Sequence, residues 1–141
     1  DLKPINLAVQ RNGKEIFIKI IDYGTCEFDH RNNGIDKGYV CSTNGYVSPE
    51  LNDTCIITHK SDIYALGVII LEIWCGFIDA DEDCKISRNI LLKELRYLKN
   101  HNPQLEKIIR KCTDINPNNR PDIYKLIKIF NDFSNNYLKT K

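Results

Sequence analysis

The feature that most constrains the fold is an apolar run from Tyr64 to Ile78, interrupted by a single charge, Glu72. The run falls short of the ~20 residues that a bilayer span requires. Its residues are apolar on nearly every side rather than along one stripe, so a helix here must be enclosed by protein. The chain therefore has to build its core around this segment. Ser61 is the expected N-cap of a helix over residues 62–75, with Gly76 closing it.

The other elements arrange themselves around that helix. At 141 residues the chain suits one compact domain with a single core. Residues 7–21 read as a β-hairpin, with Asn12-Gly13 as the turn because both residue types tolerate positive φ. From Asp22 to Asp53 no periodicity holds, and Gly24, Gly34, Gly38, Gly45 and Pro49 punctuate a long loop of the kind that usually carries function. Ile90, Leu91, Leu95 and Leu98 mark an amphipathic helix, and Leu105, Ile108, Ile109 and Cys112 mark the next. Pro121 suits the first turn of a last helix whose buried stripe is Ile123, Leu126, Ile127 and Phe130. The fold class expected is mainly α with a small β-hairpin.

Composition narrows the functional classes. Twenty basic residues against nineteen acidic ones leave the chain near neutral, which gives no ground for a nucleic-acid or membrane-surface partner. The six cysteines form no C-x-x-C pair and have no histidine at ligand spacing, so free thiols in a reducing compartment are expected, placing the protein in the cytoplasm or nucleus. His30, His59 and His101 sit in polar contexts and receive no role. The acidic run Asp79, Asp81, Glu82 and Asp83 reads as a solvated loop. The chain has no methionine and no signal-like start, and it opens on Asp1 inside a motif, so it is expected to be a piece of something longer.

Five motifs in order then carry a resemblance. Asp1-Leu2-Lys3-Pro4-Ile5-Asn6 fits D-L-x-x-x-N. Asp22-Tyr23-Gly24 follows the hairpin, and Ser48-Pro49-Glu50 ends the long loop. Asp62 to Gly67 opens the apolar helix, and Asn116-Pro117-Asn118-Asn119-Arg120-Pro121 precedes the last one. The chain resembles the large, C-terminal lobe of a eukaryotic-type protein kinase, whose catalytic loop, Asp-Phe-Gly and Ala-Pro-Glu motifs these match.

The resemblance implies a division of the 141 residues. Residues 1–24 would be the catalytic loop and magnesium-binding hairpin, 25–50 the activation segment, and 61–134 the helical subdomain. It also implies roles. Asp1 would accept the proton of a substrate hydroxyl, and Lys3 would stabilise the transferring phosphate. Asn6 and Asp22 would hold Mg2+, whose hardness suits their oxygen donors and those of ATP. Asp62 would hold the backbone around Asp1, and Glu50 would pair with Arg120 in a shielded site. Thr43 and Lys3 match the serine/threonine rather than the tyrosine kinases. The substrate would be a protein serine or threonine. ATP would need the N-terminal lobe of the same chain as its second wall, so the surface facing that lobe should be apolar and this piece alone inactive.

Departures from the pattern are few. Tyr23 replaces phenylalanine, Ser48 replaces alanine and Ser42 replaces glycine, while Cys26 is a bystander thiol. Gly38-Tyr39-Val40 stands where many kinases carry an activating phosphothreonine, so switching by loop phosphorylation is not expected. The alternative reading is a pseudokinase or truncated kinase-like module that binds and regulates another kinase; a small-molecule kinase fits less well, because it usually lacks the Ser48-Pro49-Glu50 and Arg120 motifs.

Overall fold

The computed structural model describes residues 1–28, 34–36, 38, 45–76 and 88–139, with side chains described as far as residue 135. A 3₁₀ turn over Pro4–Asn6 leads into the antiparallel strands β1 (Leu7–Asn12) and β2 (Glu15–Ile20). A two-residue strand β3 (Ile35–Asp36), a short helix α1 (Pro49–Thr54) and a two-residue strand β4 (Ile56–Ile57) follow. Among the described residues four longer helices follow: α2 (His59–Cys75), α3 (Arg88–His101), α4 (Pro103–Cys112) and α5 (Ile123–Lys139). The mainly helical fold with one small hairpin is the class the sequence predicts.

Helix α2 is the centre of the core, as its composition requires. Tyr64, Val68 and Leu71 pack against Leu91, Leu95 and Leu98 of α3 and Leu105 and Ile109 of α4. Ile63, on another side, packs with Ile108, Cys112 and Leu126, so α4 and α5 close over it. Fully burying a leucine is worth about 1.5–3 kcal/mol, so the α3 stripe is anchored by packing rather than by helix propensity. Gly67 lets the helices come this close. A Cβ there would lie 2.7 Å from Cys112 Cβ and 2.8 Å from Thr113 Cγ2. The last turn of α2 emerges, with Ile73 72% exposed, so the enclosure inferred for the whole run holds only for its first three turns. The end of the run, Phe77 and Ile78, and the acidic stretch after it lie outside the described residues.

Several boundaries differ from the sequence reading, each for a local reason. The N-cap of α2 is Thr58, not Ser61; Thr58 Oγ1 accepts from Lys60 N–H at 3.1 Å, and Ser61 Oγ accepts back from Thr58 N–H at 3.3 Å. Ser61 is thus the returning half of a capping box one turn inside the helix. The hairpin turn is Gly13-Lys14, with Asn12 paired to Glu15. Gly13 alone takes positive φ (61°), as a type II′ turn demands at its first position. The stretch expected to be a structureless loop contains β3 and α1, the latter started by Pro49 at its first position. At the other end Pro121 lies before α5, and Asp122 Oδ1 caps it by accepting from Lys125 N–H at 2.7 Å. The buried face of α5 is Leu126, Ile129, Phe130 and Phe133, while Ile123 and Ile127 face out.

Cys26, Cys55, Cys75 and Cys112 are free thiols; Cys41 and Cys84 lie outside the described residues. Burial pushes the Cys112 thiol up to about 12, despite the charge of Arg120. Burial and the neighbouring Glu94 push Cys75 up to about 11. Neither is a reactive thiolate at neutral pH.

Candidate active site

The opening segment folds back on itself through three backbone-anchored bonds. Asn6 N–H donates to the Lys3 carbonyl at 3.0 Å, which closes the 3₁₀ turn. The buried Asn6 side chain donates through Nδ2 to the Asp1 carbonyl at 2.8 Å. Ile21 N–H donates to the Asn6 carbonyl at 2.9 Å, so the far end of the hairpin returns beside the turn. Residues 1, 3, 6 and 22, picked out by motif, are thereby gathered at one place.

Two of them form an ion pair. Lys3 Nζ lies 2.6 Å from Asp1 Oδ2, with the two side chains 21% and 17% exposed. Asp22 is one of only two described non-glycine residues with positive φ (61°), and its Oδ1 accepts from Gly24 N–H at 3.2 Å. Holding an aspartate in that sparsely populated region costs conformational energy, a pattern that clusters at functional sites. Tyr23 is exposed rather than buried, and its hydroxyl donates to the Ile20 carbonyl at 2.8 Å.

A cavity of about 340 Å³ opens beside Asp1, with Asp62, His59, Thr25, Cys26 and Ser48 among its lining. Asp62 reaches the cavity's water, yet the surrounding protein crowds it. Burial raises its carboxyl above the ordinary value, while the charge of His59 pulls it partly back.

Behind the cavity sits the ion pair that the motifs anticipate. Arg120 Nη1 and Nη2 each reach a Glu50 carboxylate oxygen at 2.7 Å. The Arg120 side chain is 0% exposed and Glu50 18%. Arg120 also donates to the carbonyls of Lys60 (2.9 Å) and Asp114 (2.8 Å), and its guanidinium lies 5.0 Å from the centre of the Tyr64 ring. A buried charge needs this degree of satisfaction to be tolerated. Burial, the largest influence, pushes the Glu50 carboxyl up, but hydrogen bonds from Arg120, Ser48 and the backbone, with the charge of Arg120, together outweigh it and leave it below the ordinary value. The nearby Ser48 hydroxyl contributes to that lowering, although it is buried without a hydrogen bond of good geometry.

Three contacts were not anticipated. Tyr46 Oη donates to Glu72 Oε2 at 2.6 Å, giving a partner to the only charge in the apolar run. Glu72 itself was the available signal, since a lone carboxylate in such a helix must be solvated or bonded. Burial and this carboxylate together raise the Tyr46 hydroxyl well above its ordinary range. Lys60 Nζ donates to the Arg120 carbonyl at 2.6 Å, and β3 pairs with β4; no motif pointed to either. Thr43, Ser42 and Tyr39 lie outside the described residues.

The oxygen donors that Asn6 and Asp22 offer are two rather than a cage. Among the described residues no group of three or more His, Cys, Asp or Glu side chains could hold a metal. Asn6 spends its amide N–H on Asp1, which leaves its carbonyl oxygen for a cation, and the Asp22 carboxylate lies one residue from the bond joining the two segments. One carboxylate and one amide oxygen suit Mg2+, which keeps waters and takes its other ligands from substrate phosphates. No helix among the described residues is long and apolar enough to cross a membrane.

Comparison with known proteins agrees with this arrangement. The chain is similar to the serine/threonine-protein kinase pkn3 of Myxococcus xanthus, 31% identical over 86% of this chain and 24% of the relative. It is also similar to the RGS domain-containing serine/threonine-protein kinase A of Dictyostelium discoideum, 29% identical over 90% of this chain and 11% of that protein. The G2-specific protein kinase fin1 of Schizosaccharomyces pombe is 30% identical over 91% of this chain and 18% of its own length. The chain thus spans no more than about a quarter of the length of these relatives. The protein kinase domain family matches residues 1–130, and with the fold and the gathered motif residues this makes the chain a member of that family.

Proposed function

We infer that the chain is the catalytic half of a serine/threonine protein kinase, the C-terminal lobe, which moves the γ-phosphate of ATP to a protein hydroxyl. The observation that carries this is the gathering of Asp1, Lys3, Asn6 and Asp22 by the Asn6–Asp1 and Ile21–Asn6 bonds. Phosphoryl transfer asks a protein mainly for positioning and charge neutralisation, and these four supply both. Asp1 takes the proton of the incoming hydroxyl at its carboxylate. Lys3 lies on that carboxylate, close enough to move its charge onto the transferring group. Asn6 and Asp22 hold Mg2+, which when bound with ATP offsets the charge on the phosphates.

Asp62 supports Asp1 from across the cavity, and the Glu50–Arg120 pair ties α1, where the long loop ends, to the other helices. Selectivity for serine and threonine rests on Lys3, and two of the similar proteins are serine/threonine kinases by name. The open apolar face of the hairpin is where the N-terminal lobe packs, and without that wall the 141 residues bind ATP poorly and do not turn over.

The test is to make Asp1→Asn and Asp22→Asn in the full-length protein. Each lowers phosphoryl transfer by about 10³-fold, the order expected for a lost acid–base or metal-holding group, with thermal unfolding unchanged. Asp22→Asn also weakens Mg2+-dependent nucleotide binding, whereas Asp1→Asn leaves it intact. Wild-type turnover in either variant overturns the assignment. A wild-type protein that transfers no phosphate points instead to the non-catalytic, partner-binding reading.

A further inference from the structure

We propose that the cavity beside Asp1 is a ligand site for a compact, uncharged molecule with an apolar body, one hydrogen-bond acceptor and an electrophilic carbon that Cys26 captures. The sequence reading leaves Cys26 without a role, but the structure places its exposed thiol in the wall of this cavity. An exposed thiol alone says little. The second observation is Ser48, which lines the same cavity and is only 1% exposed. Its hydroxyl makes no hydrogen bond of good geometry with the described residues. Buried polar groups are nearly always satisfied, and leaving one without a partner is costly. A buried hydroxyl on a cavity wall therefore marks the place where an acceptor atom of a ligand belongs.

The walls set the ligand class. A volume of about 340 Å³ lies at the lower end of the roughly 300–1,000 Å³ of small-molecule sites. Leu2, Leu51, Ile57 and Ala65 offer hydrocarbon to the body of the ligand. The two aspartates do not call for a cation. Lys3 already pairs with Asp1, and burial raises the Asp62 carboxyl, which disfavours its charged form. A neutral carbonyl compound fits this wall better than an amine does. Cys26 is also the thiol best placed to react. Burial pushes Cys75 and Cys112 up, and neither they nor the half-buried Cys55 are among the described residues that line the cavity. In the capture step the Cys26 sulfur bonds to the electrophilic carbon. The leaving group departs from that carbon with the bonding pair, and the thiol proton passes to solvent.

The experiment uses the full-length protein and N-phenylchloroacetamide, whose carbon–chlorine bond breaks as chloride leaves. Chloroacetamide is the control, with the same reactive carbon and no apolar body. Adduct formation at Cys26 is followed by peptide mass spectrometry over a range of probe concentrations, and each rate is divided by the rate of the same probe with glutathione. With N-phenylchloroacetamide the rate saturates, and its normalised preference over chloroacetamide is about tenfold, the order expected for burying a ring. Cys26→Ser loses the adduct. Ser48→Ala lowers the preference about fivefold, as one lost hydrogen bond does, and leaves the chloroacetamide rate within about twofold. If Ser48→Ala fails to fold, benzyl chloride on the wild type takes its place. It keeps the ring and the electrophilic carbon but lacks the acceptor, and its normalised preference is lower by the same factor. A rate linear in concentration with no preference shows only an exposed thiol and overturns the proposal, as does an unlabelled Cys26. An undiminished preference in Ser48→Ala or, where that does not fold, with benzyl chloride overturns it too. No readout depends on phosphate transfer, so the result is independent of the kinase reading.

Discussion

Helix α3 and the hairpin β1–β2 carry equally clear apolar faces, yet the structure treats them in opposite ways. Leu91, Leu95 and Leu98 are at most 1% exposed, whereas Val9, Ile16 and Ile18 are 61–69% exposed. The register places Leu7 opposite Ile20, Val9 opposite Ile18 and Arg11 opposite Ile16, so five apolar side chains share one face of the hairpin. The helical region closes its own core around α2. A two-stranded hairpin has no second layer, and by itself such a unit is at best marginally stable in water. Asp1, Lys3, Asn6 and Asp22 all sit on or beside this open element, while the residues that hold the scaffold, Glu50, Gly67 and Arg120, sit on the closed one. The molecule thus separates a closed helical framework from an open apolar face, with the four motif residues beside the latter.

The comparison breaks most readily at the junction between the two regions. Replacing Arg120 by methionine leaves the Glu50 carboxylate sheltered and unpaired, and destabilises the protein by about 3–5 kcal/mol in chemical denaturation. Replacing both residues by apolar side chains of similar volume costs less, and a double-mutant cycle reads a coupling clearly above zero. The pH dependence follows from the direction of the Glu50 shift. Its carboxyl is lower in the folded than in the unfolded chain, so its stabilisation is full above the ordinary value of 4.5 and is lost as pH falls below it. In Glu50→Gln that acid-side loss is smaller, and an unchanged acid limb contradicts the ion-pair account.

A smaller effect tests how tightly the framework is closed. Gly67→Ala improves intrinsic helix propensity by about 1 kcal/mol but drives a methyl into Cys112 and Thr113, and overpacking of this kind costs about 1–3 kcal/mol. The expected net result is a lower Tm; a rise in Tm means that α2 and α4 can separate freely.

The smallest effect belongs to the open face. Val9→Thr with Ile18→Thr changes the stability of the 141-residue chain by no more than about 0.5 kcal/mol, as exposed positions do. The same pair reduces concentration-dependent self-association in sedimentation velocity. A stability loss above ~1 kcal/mol would show the hairpin face to be part of the core after all, and the contrast between the two regions would fall.

The sequence by itself determined the central helix, the hairpin, the amphipathic spacing of α3 and α4, and the order of the five motifs. These are readable because periodicity and short-range turn chemistry act within a few residues of one another. It also anticipated Glu50 with Arg120, through resemblance rather than through any local signal. Tertiary structure alone decided the rest. The rotation of the α5 face to Leu126, Ile129, Phe130 and Phe133 follows from where α2 and α4 lie, and nothing in its own apolar residues distinguishes these from Ile123 and Ile127. Thr58 displaced Ser61 as the cap of α2, and Asp122 caps α5 one residue beyond the Pro121 expected in its first turn, because the incoming backbone decides which residue caps. Tyr46 found Glu72, and Ile35-Asp36 found Ile56-Ile57, across stretches that no local rule connects. Such contacts are fixed only when the packed helices bring distant segments to within bonding distance, and that information is carried by the whole core rather than by any window of sequence.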